Sequence, residues 1–456
     1  MNYRKHSEIS HQTVLNFRFF DPAALATLGR DLTLSLSEGG LWWLREHFRL
    51  CEQRDPTVGE LQFFSDLRDL WLTLPASAEL QCNAGNEELM RTLADAYRMR
   101  AALPSSPMTA DTLLSTAGQY LARGGIPPYH KNLLCGSTHD MAARACGENP
   151  TLALDLGRVS AMLSKTAHTP LCDQSLLLLR HTGNAPFPLE VARFLAAYRH
   201  LGLFALTAPC GEGILPHLLS LGHGFVLDLA PFFEVGEPLT PSAALSVGKD
   251  AVLIAAHAAA VPYLMANGAP VTPCGSLISY PKIQIRSGPT VLLSLSTAAF
   301  APFLSTRPLS ITAKKESETQ IASSVTASDT LLMGGVCVKG GCMHSLLTLI
   351  GELAAMGADA GKTTLTAVLE MPPLSGTDQA EAALPALLEL HRVSAELSLP
   401  CVAPRLLMRE ELAEPTLTVF ACAERKSAPD GRFSAEWQAA ADAKDFATMR
   451  RLLHAR

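Results

Sequence analysis

The stretch GELAAMGADAGKTTLTAVLEM, residues 351–371, contains a segment, GADAGKTT, with the outline of a phosphate-binding loop. A P-loop has a glycine, four residues and then Gly-Lys-Ser/Thr, a length that lets consecutive backbone N–H groups curl around a β-phosphate. Here only three residues separate Gly357 from Gly361. Such a loop must also leave a buried strand and open a helix whose N-terminus faces the phosphate. The order in this chain is the reverse. Upstream, Leu346, Leu349, Ile350, Leu353 and Met356 recur at helical spacing and end at Gly357, a C-cap residue. Downstream, TTLTAVLEM is β-branched and strand-like. The stretch reads as helix, turn and strand, with Lys362 a surface residue of the turn rather than a nucleotide-binding lysine.

Residues 330–425 repeat that alternation. A helix at 344–356 and a strand at 363–369 are followed by the helix LPALLELHRVSAELS and the closing strands PCVAP and TLTVFACA. The tail at 434–456 reads as one amphipathic helix on Trp437, Phe446, Met449 and Leu453. From residue 175 a second alternating region begins. SLLLLRHTG is a strand, VARFLAAYRHLG a helix capped by Gly202, LFALTAPCGEG a strand entering a glycine turn, and ILPHLLSLG a helix. GFVLDLAPFF and AVLIAAHA read as buried strands, followed by the short helix VPYLMANG. Elements alternating at this length define an α/β or α+β fold.

The start of the chain is helical. Leu41, Leu44, Phe48 and Cys51 mark one apolar stripe, and Leu61, Phe64, Leu67, Trp71 and Leu74 the next. Between them, in RDPTVGEL, Pro56 blocks helix continuation and Thr57 with Glu60 forms a capping box. Residues 76–172 show helical patches at 87–100 and 110–122 and a Gly/Pro break at RGGIPPYHKN, without a fold that the pattern alone assigns.

A length of 456 residues, 48% of them hydrophobic and 18% charged, is enough for several buried cores. A formal net charge of −6 with no dense Lys/Arg cluster argues against nucleic acid as a partner. MNYRKHSEISHQ lacks the apolar core of a signal peptide, and the longest apolar run, at 251–266, carries His257 and Pro262. The expectation is a cytoplasmic protein with no membrane partner. Eleven scattered cysteines predict reduced, mostly buried thiols. In CVKGGCMH, Cys337, Cys342 and His344 lack the fourth ligand and the second knuckle of a zinc site, so no metal site is assigned. No H-E-x-x-H, G-x-S-x-G or G-x-G-x-x-G is present.

The residues now carry a resemblance. LSEGGLWWLREHFRLCEQRDPTVGELQFF resembles the linker of phosphoribosylformylglycinamidine synthase, where an R-x-P-T-x-x-E-L turn joins two helices. The stretch from Gly213 to Ala255 is similar to that family's C-terminal AIR synthase-like domain, with its Gly-rich loop, G-V-x-L-D-L strand and proline-containing crossover. Residues 342–425 resemble the N-terminal AIR synthase-like domain, and GADAGKTTLTAVLEMP falls where the family has G-A-x-P-L-A-L-T-D-C-L-N-F-G. The resemblance implies an α/β (α+β) chain of PurM-like N- and C-type domains behind a helical linker domain. It implies these boundaries: a linker-like domain at 1–80, a candidate degenerate first N-type domain at 81–172, a C-type domain at 173–300, and an N-type domain with a C-terminal helix at 301–456.

The departures from the family bear on chemistry. The histidine of its W-S-E-H-C motif falls at Trp71, which cannot transfer a proton. S-E-S-Q-E-R becomes Ser246, Val247, Gly248, Lys249, Asp250 and Ala251. D-C-L-N-F-G becomes Val368, Leu369, Glu370, Met371, Pro372 and Pro373, without the Asp and Asn of the kind that hold magnesium and phosphate. Pro404 and Arg405 stand in the later glycine-rich segment. No catalytic residue is assigned. The remaining candidate is a weak nucleotide site on Gly211, Gly213, Asp228 and Lys249, where a glycine pair between strand and helix bares N–H groups, although Glu212 between them repels phosphate. ATP and Mg²⁺ are the cofactors the resemblance implies. The reading is a diverged phosphoribosylformylglycinamidine synthase-like protein that has lost catalysis and acts as a binding or assembly module; the alternative is an active ATP-dependent ligase of purine biosynthesis or of a related ATP-using reaction. The resemblance also implies a partner for the sheet at 330–425, supplied by 76–172 within the chain or by a second copy. Without one, Leu365, Val368, Leu417 and Val419 would face solvent.

Overall fold

The computed structural model describes residues 11–74, 77–85, 87–104, 107–138, 150–164, 173–180, 183, 187–207, 214–234, 239–247, 251–314, 317–426 and 431–454. The chain opens with helices α1 (Pro22–Asp31), α2 (Glu38–His47) and α3 (Val58–Thr73). There follow β1 (Ala78–Ala84), α4 (Glu87–Ala101), α5 (Ala110–Arg123), β2 (Leu133–Ser137), β3 (Pro150–Asp155) and β4 (Val159–Ser164). The middle comprises β5 (Gln174–Arg180), α6 (Phe187–Ala197), β6 (Phe204–Thr207), α7 (Ile214–Ser220), β7 (Gly224–Asp228), β8 (Ala251–His257), α8 (Ala260–Ala266), β9 (Val271–Ile278), β10 (Lys282–Ser287) and β11 (Thr290–Ser296). The last part holds β12 (Arg307–Ala313), β13 (Thr319–Ala327), β14 (Leu331–Lys339), α9 (Met343–Ala355), β15 (Ala358–Met371), α10 (Asp378–Leu397), β16 (Arg405–Met408), β17 (Thr416–Arg425), α11 (Gly431–Asp442) and α12 (Phe446–His454).

The chain divides into two compact units, one of residues through Thr73 with 168–305, the other of residues 74–167 with 306 onward. In the first unit, the sheet β11-β10-β7-β9-β5-β8-β6 buries Leu176, Leu178, Phe225, Leu227 and Leu253 in one cluster with Leu41, Leu44, Phe48, Leu61, Phe64 and Leu67 of the opening helices. The turn that joins those helices is held by charge. Glu60 N–H donates to Thr57 Oγ1 at 3.1 Å, and Glu60 Oε2 accepts from Thr57 N–H at 2.9 Å, closing the expected capping box. Arg54 adds a two-pronged ion pair to the same carboxylate, at 2.8 and 2.5 Å. Cys51, placed by periodicity on the apolar stripe, is exposed. The chain passes into a π-helical turn at Phe48–Glu52, and the changed pitch rotates that position away from the core.

In the second unit, the sheet β13-β14-β17-β15-β16 is covered on one face by α9 and α10. On its other face it carries the three-stranded sheet β2-β4-β3, whose Leu133, Cys135, Leu154, Val159 and Ala161 pack on Leu331, Met333, Val368, Phe420 and Cys422. Leu365, Leu417 and Val419 turn the other way, into the core with α9 and α10. The period-2 alternation of a strand decides this, since neighbouring residues on β15 and β17 must face opposite layers. None of these four residues lies at the surface.

Several local expectations need correction. The tail is two helices, α11 and α12, broken at Lys444 (φ 52°), with Asp445 capping the second by accepting from Thr448 N–H at 3.0 Å. PCVAP is not a strand of its own: Cys401 makes one isolated bridge to Leu365, and the strand begins four residues later at Arg405. Gly357 does end the helix, with φ 93°. The segment after it belongs to β15 instead of a free turn, because a bulge separates the pairings Ala358↔Arg425 and Thr363↔Ala423. Asp359 holds the bulge, accepting from Gly361 N–H at 3.0 Å and, at its carbonyl, from Thr363 Oγ1 at 2.7 Å. Lys362 is therefore a strand residue rather than a turn residue.

Candidate functional site

The bulge in β15 aims Lys362 at a cluster that the sequence pattern did not single out. Lys362 Nζ lies 2.6 Å from Glu424 Oε2 on β17 and 5.2 Å from the centre of the Tyr129 ring. The Tyr129 hydroxyl hydrogen-bonds the same carboxylate, which pushes the phenol above its ordinary range, while Lys362 and Tyr129 hold Glu424 below the usual carboxylate range. Beside them His130 is buried, its main-chain N–H donating to Thr364 Oγ1 at 3.1 Å and its ring Nε2 without a hydrogen-bond partner among the described residues. Burial lowers its pKa first, and Lys362 adds to that, against main-chain bonding to Lys362 and the field of Glu424. All four groups come from RGGIPPYHKN, β15 and β17, and only the fold brings them together.

Farther along β15, Glu370 is almost wholly buried. Its Oε1 accepts from Arg158 Nη2 at 3.0 Å and Arg409 Nε at 2.9 Å, and its Oε2 lies 3.3 Å from Thr416 Oγ1. This is the only carboxylate in the stretch 368–373, where the resemblance expects metal and phosphate ligands. Two guanidiniums already neutralise it, which leaves a poor fit for Mg²⁺.

The structure describes one of the four residues of the expected nucleotide site. Gly211, Gly213 and Lys249 lie outside the described residues. Asp228 ends β7, with Oδ2 3.3 Å from Arg286 Nε and Oδ1 accepting from Ala230 and Gly288 N–H at 3.0 and 2.9 Å. Its carboxylate fixes the strand end. Ser246 Oγ donates to the Ala243 carbonyl at 3.0 Å.

Trp71 was expected within the apolar stripe. It is half-buried near the end of α3, and its indole N–H donates to the Ser305 carbonyl at 3.1 Å. The α3 side chains that are fully enclosed lie in its first three turns, from Val58 to Leu67. In CVKGGCMH, Cys342 Sγ points to the Ala386 carbonyl at 3.3 Å, Cys337 is half-buried on β14 and His344 is exposed. Burial pushes both thiols up. The N-terminus of α9 is filled from within the chain: Glu389 Oε2 accepts from Cys342 and Met343 N–H at 2.6 and 2.8 Å, and Glu318 accepts from His344 and Ser345 N–H at 2.8 and 2.7 Å. Among the described residues no group of three or more His, Cys, Asp and Glu is placed to hold a metal ion, and no helix is long and apolar enough to cross a membrane.

This architecture is the PurM-like, phosphoribosylformylglycinamidine synthase-type fold. The structure of PurLQS from Thermotoga maritima matches it with a TM-score of 0.51 at 11% identity, over 91% of this chain and 89% of that one. T. maritima PurL complexed with FGAR gives 0.47 at 12% identity, over 91% and 90%. No family model matches the sequence, and no curated protein does.

Proposed function

We propose that this chain is a PurL-like relative that has lost catalysis and serves as a binding or assembly module. The observation that supports the reading is Glu370. Where phosphoryl transfer depends on bound magnesium and close phosphate contacts, this chain offers one buried carboxylate already paired with Arg158 and Arg409. Trp71, at the position that the resemblance gives to the acid-base histidine, has its only polar group engaged with Ser305. The second reading, an ATP-dependent ligase, has in its favour the fold shared with PurLQS. Under it, a nucleotide would use Gly211, Gly213, Asp228 and Lys249. Calorimetric titration with ATP–Mg²⁺, followed by an ADP-release assay with formylglycinamide ribotide and ammonia, separates the two. The proposal expects no turnover; saturable, magnesium-dependent ADP release overturns it.

A further inference from the structure

Between α5 and β2 the chain runs through GGIPPYHKN, residues 124–132, of which His130 alone is buried. Gly124, Gly125 and Ile126 N–H donate back to the end of α5, and Pro127 and Pro128 have no N–H to give. The ties of this segment to the sheet fall at Tyr129 and His130. The Tyr129 hydroxyl bonds Glu424 of β17. His130 donates its main-chain N–H to Thr364 Oγ1 of β15 at 3.1 Å, its ring bonds the main chain of Lys362, and it stands edge-on to the Tyr129 ring with centres 5.0 Å apart.

A buried imidazole is a conditional anchor. Neutral, it is cheap to enclose; protonated, it carries a charge out of water together with a second ring N–H, for which no acceptor stands at Nε2 among the described residues. The titratable groups that face it are Lys362 of β15, Glu424 of β17 and Tyr129 beside it, while Lys131, next in the chain, is exposed. Lys362 repels an imidazolium and Glu424 attracts one, but Glu424 is already engaged by Lys362 and Tyr129. Burial is the larger effect, and it keeps the attached ring neutral.

We propose that residues 124–132 form a proton-released strap, held on β15 and β17 while His130 is neutral and let go when it takes up a proton. Once free, the ring returns to water, where imidazole binds its proton at about pH 6.5. Attachment is therefore complete above that value and weakens as pH falls through it, by at most about tenfold per pH unit. The strap lies at the end of β15 away from Glu370, and its release does not depend on whether catalysis survives.

Amide exchange of the full chain, read on peptides that span 124–132 and corrected for the intrinsic pH dependence of exchange, tests it. The segment should exchange faster than α10 at every pH, as local opening requires. Its protection should fall about three- to tenfold between about pH 7.5 and about pH 5.5. His130→Gln, which cannot take the proton, should abolish that step. Lys362→Gln removes the repelling cation and frees Glu424 to meet the imidazolium, so it should move the step to higher pH, and it serves should the first variant lose its fold. A flat profile, protection equal to that of α10, a step that folded His130→Gln keeps, or one that Lys362→Gln leaves in place overturns the proposal.

Discussion

Lys362 Nζ sits 2.6 Å from Glu424 Oε2, so the lysine of the P-loop-like segment is bound to a carboxylate of its own chain. Both side chains are about a third or more exposed. An ion pair this exposed is screened by solvent and adds little to stability. Lys362→Ala should leave the melting temperature nearly unchanged and any ATP affinity unchanged within about twofold. Thermal denaturation and calorimetry check the two parts; a tenfold loss of ATP affinity would restore the P-loop reading.

His130 predicts a pH dependence. Its folded pKa is below its ordinary value, so the unfolded chain binds its proton first as pH falls. Its contribution is fully present above the unfolded pKa of about 6.5 and is lost as pH drops through that value toward the lower folded one. Urea midpoints should therefore fall between pH 7.5 and pH 5.5, and His130→Gln should fall less over the same interval.

Trp71 and Trp437 should differ. Trp437 is buried, stacked on Phe433, and donates to the Leu347 carbonyl at 2.8 Å, whereas Trp71 is half-buried. Trp437→Ala should cost about 3–5 kcal/mol and Trp71→Ala about half that or less. Gly351 faces the Trp437 ring with no room for a Cβ, so Gly351→Ala should cost ~1–3 kcal/mol by overpacking. Equilibrium unfolding measures all three, and equal losses at the two tryptophans would contradict the burial difference.

Glu370→Ala removes a buried carboxylate from two guanidiniums. Arg158 is half-exposed and can return to water, while Arg409 is mostly enclosed. The loss should reach about 2–4 kcal/mol, below that of a fully buried pair. Glu370→Gln, which keeps the shape, should lose less. A neutral alanine variant would show that the cluster is not structural.

Features that depend on near neighbours are legible in the order of residues. Helical periodicity with Gly357 placed the end of α9, the Thr57–Glu60 spacing placed the start of α3, and the strand-like run after Thr363 excluded a P-loop. Each rests on contacts within a few residues, which spacing encodes. Strands β9 to β14 drew no expectation, because short strands declare themselves mainly through partners that pair across long sequence distances. The bulge that carries Lys362 to Glu424, the facing of Leu365 and Val368 onto opposite layers, and the meeting of Arg158, Glu370 and Arg409 were decided by tertiary structure alone. Arg158 and Glu370 alone are 212 positions apart. Nothing local in a buried glutamate says which charge it will meet; the register of β15 against β17 and the packing of the β2-β4-β3 sheet fix it.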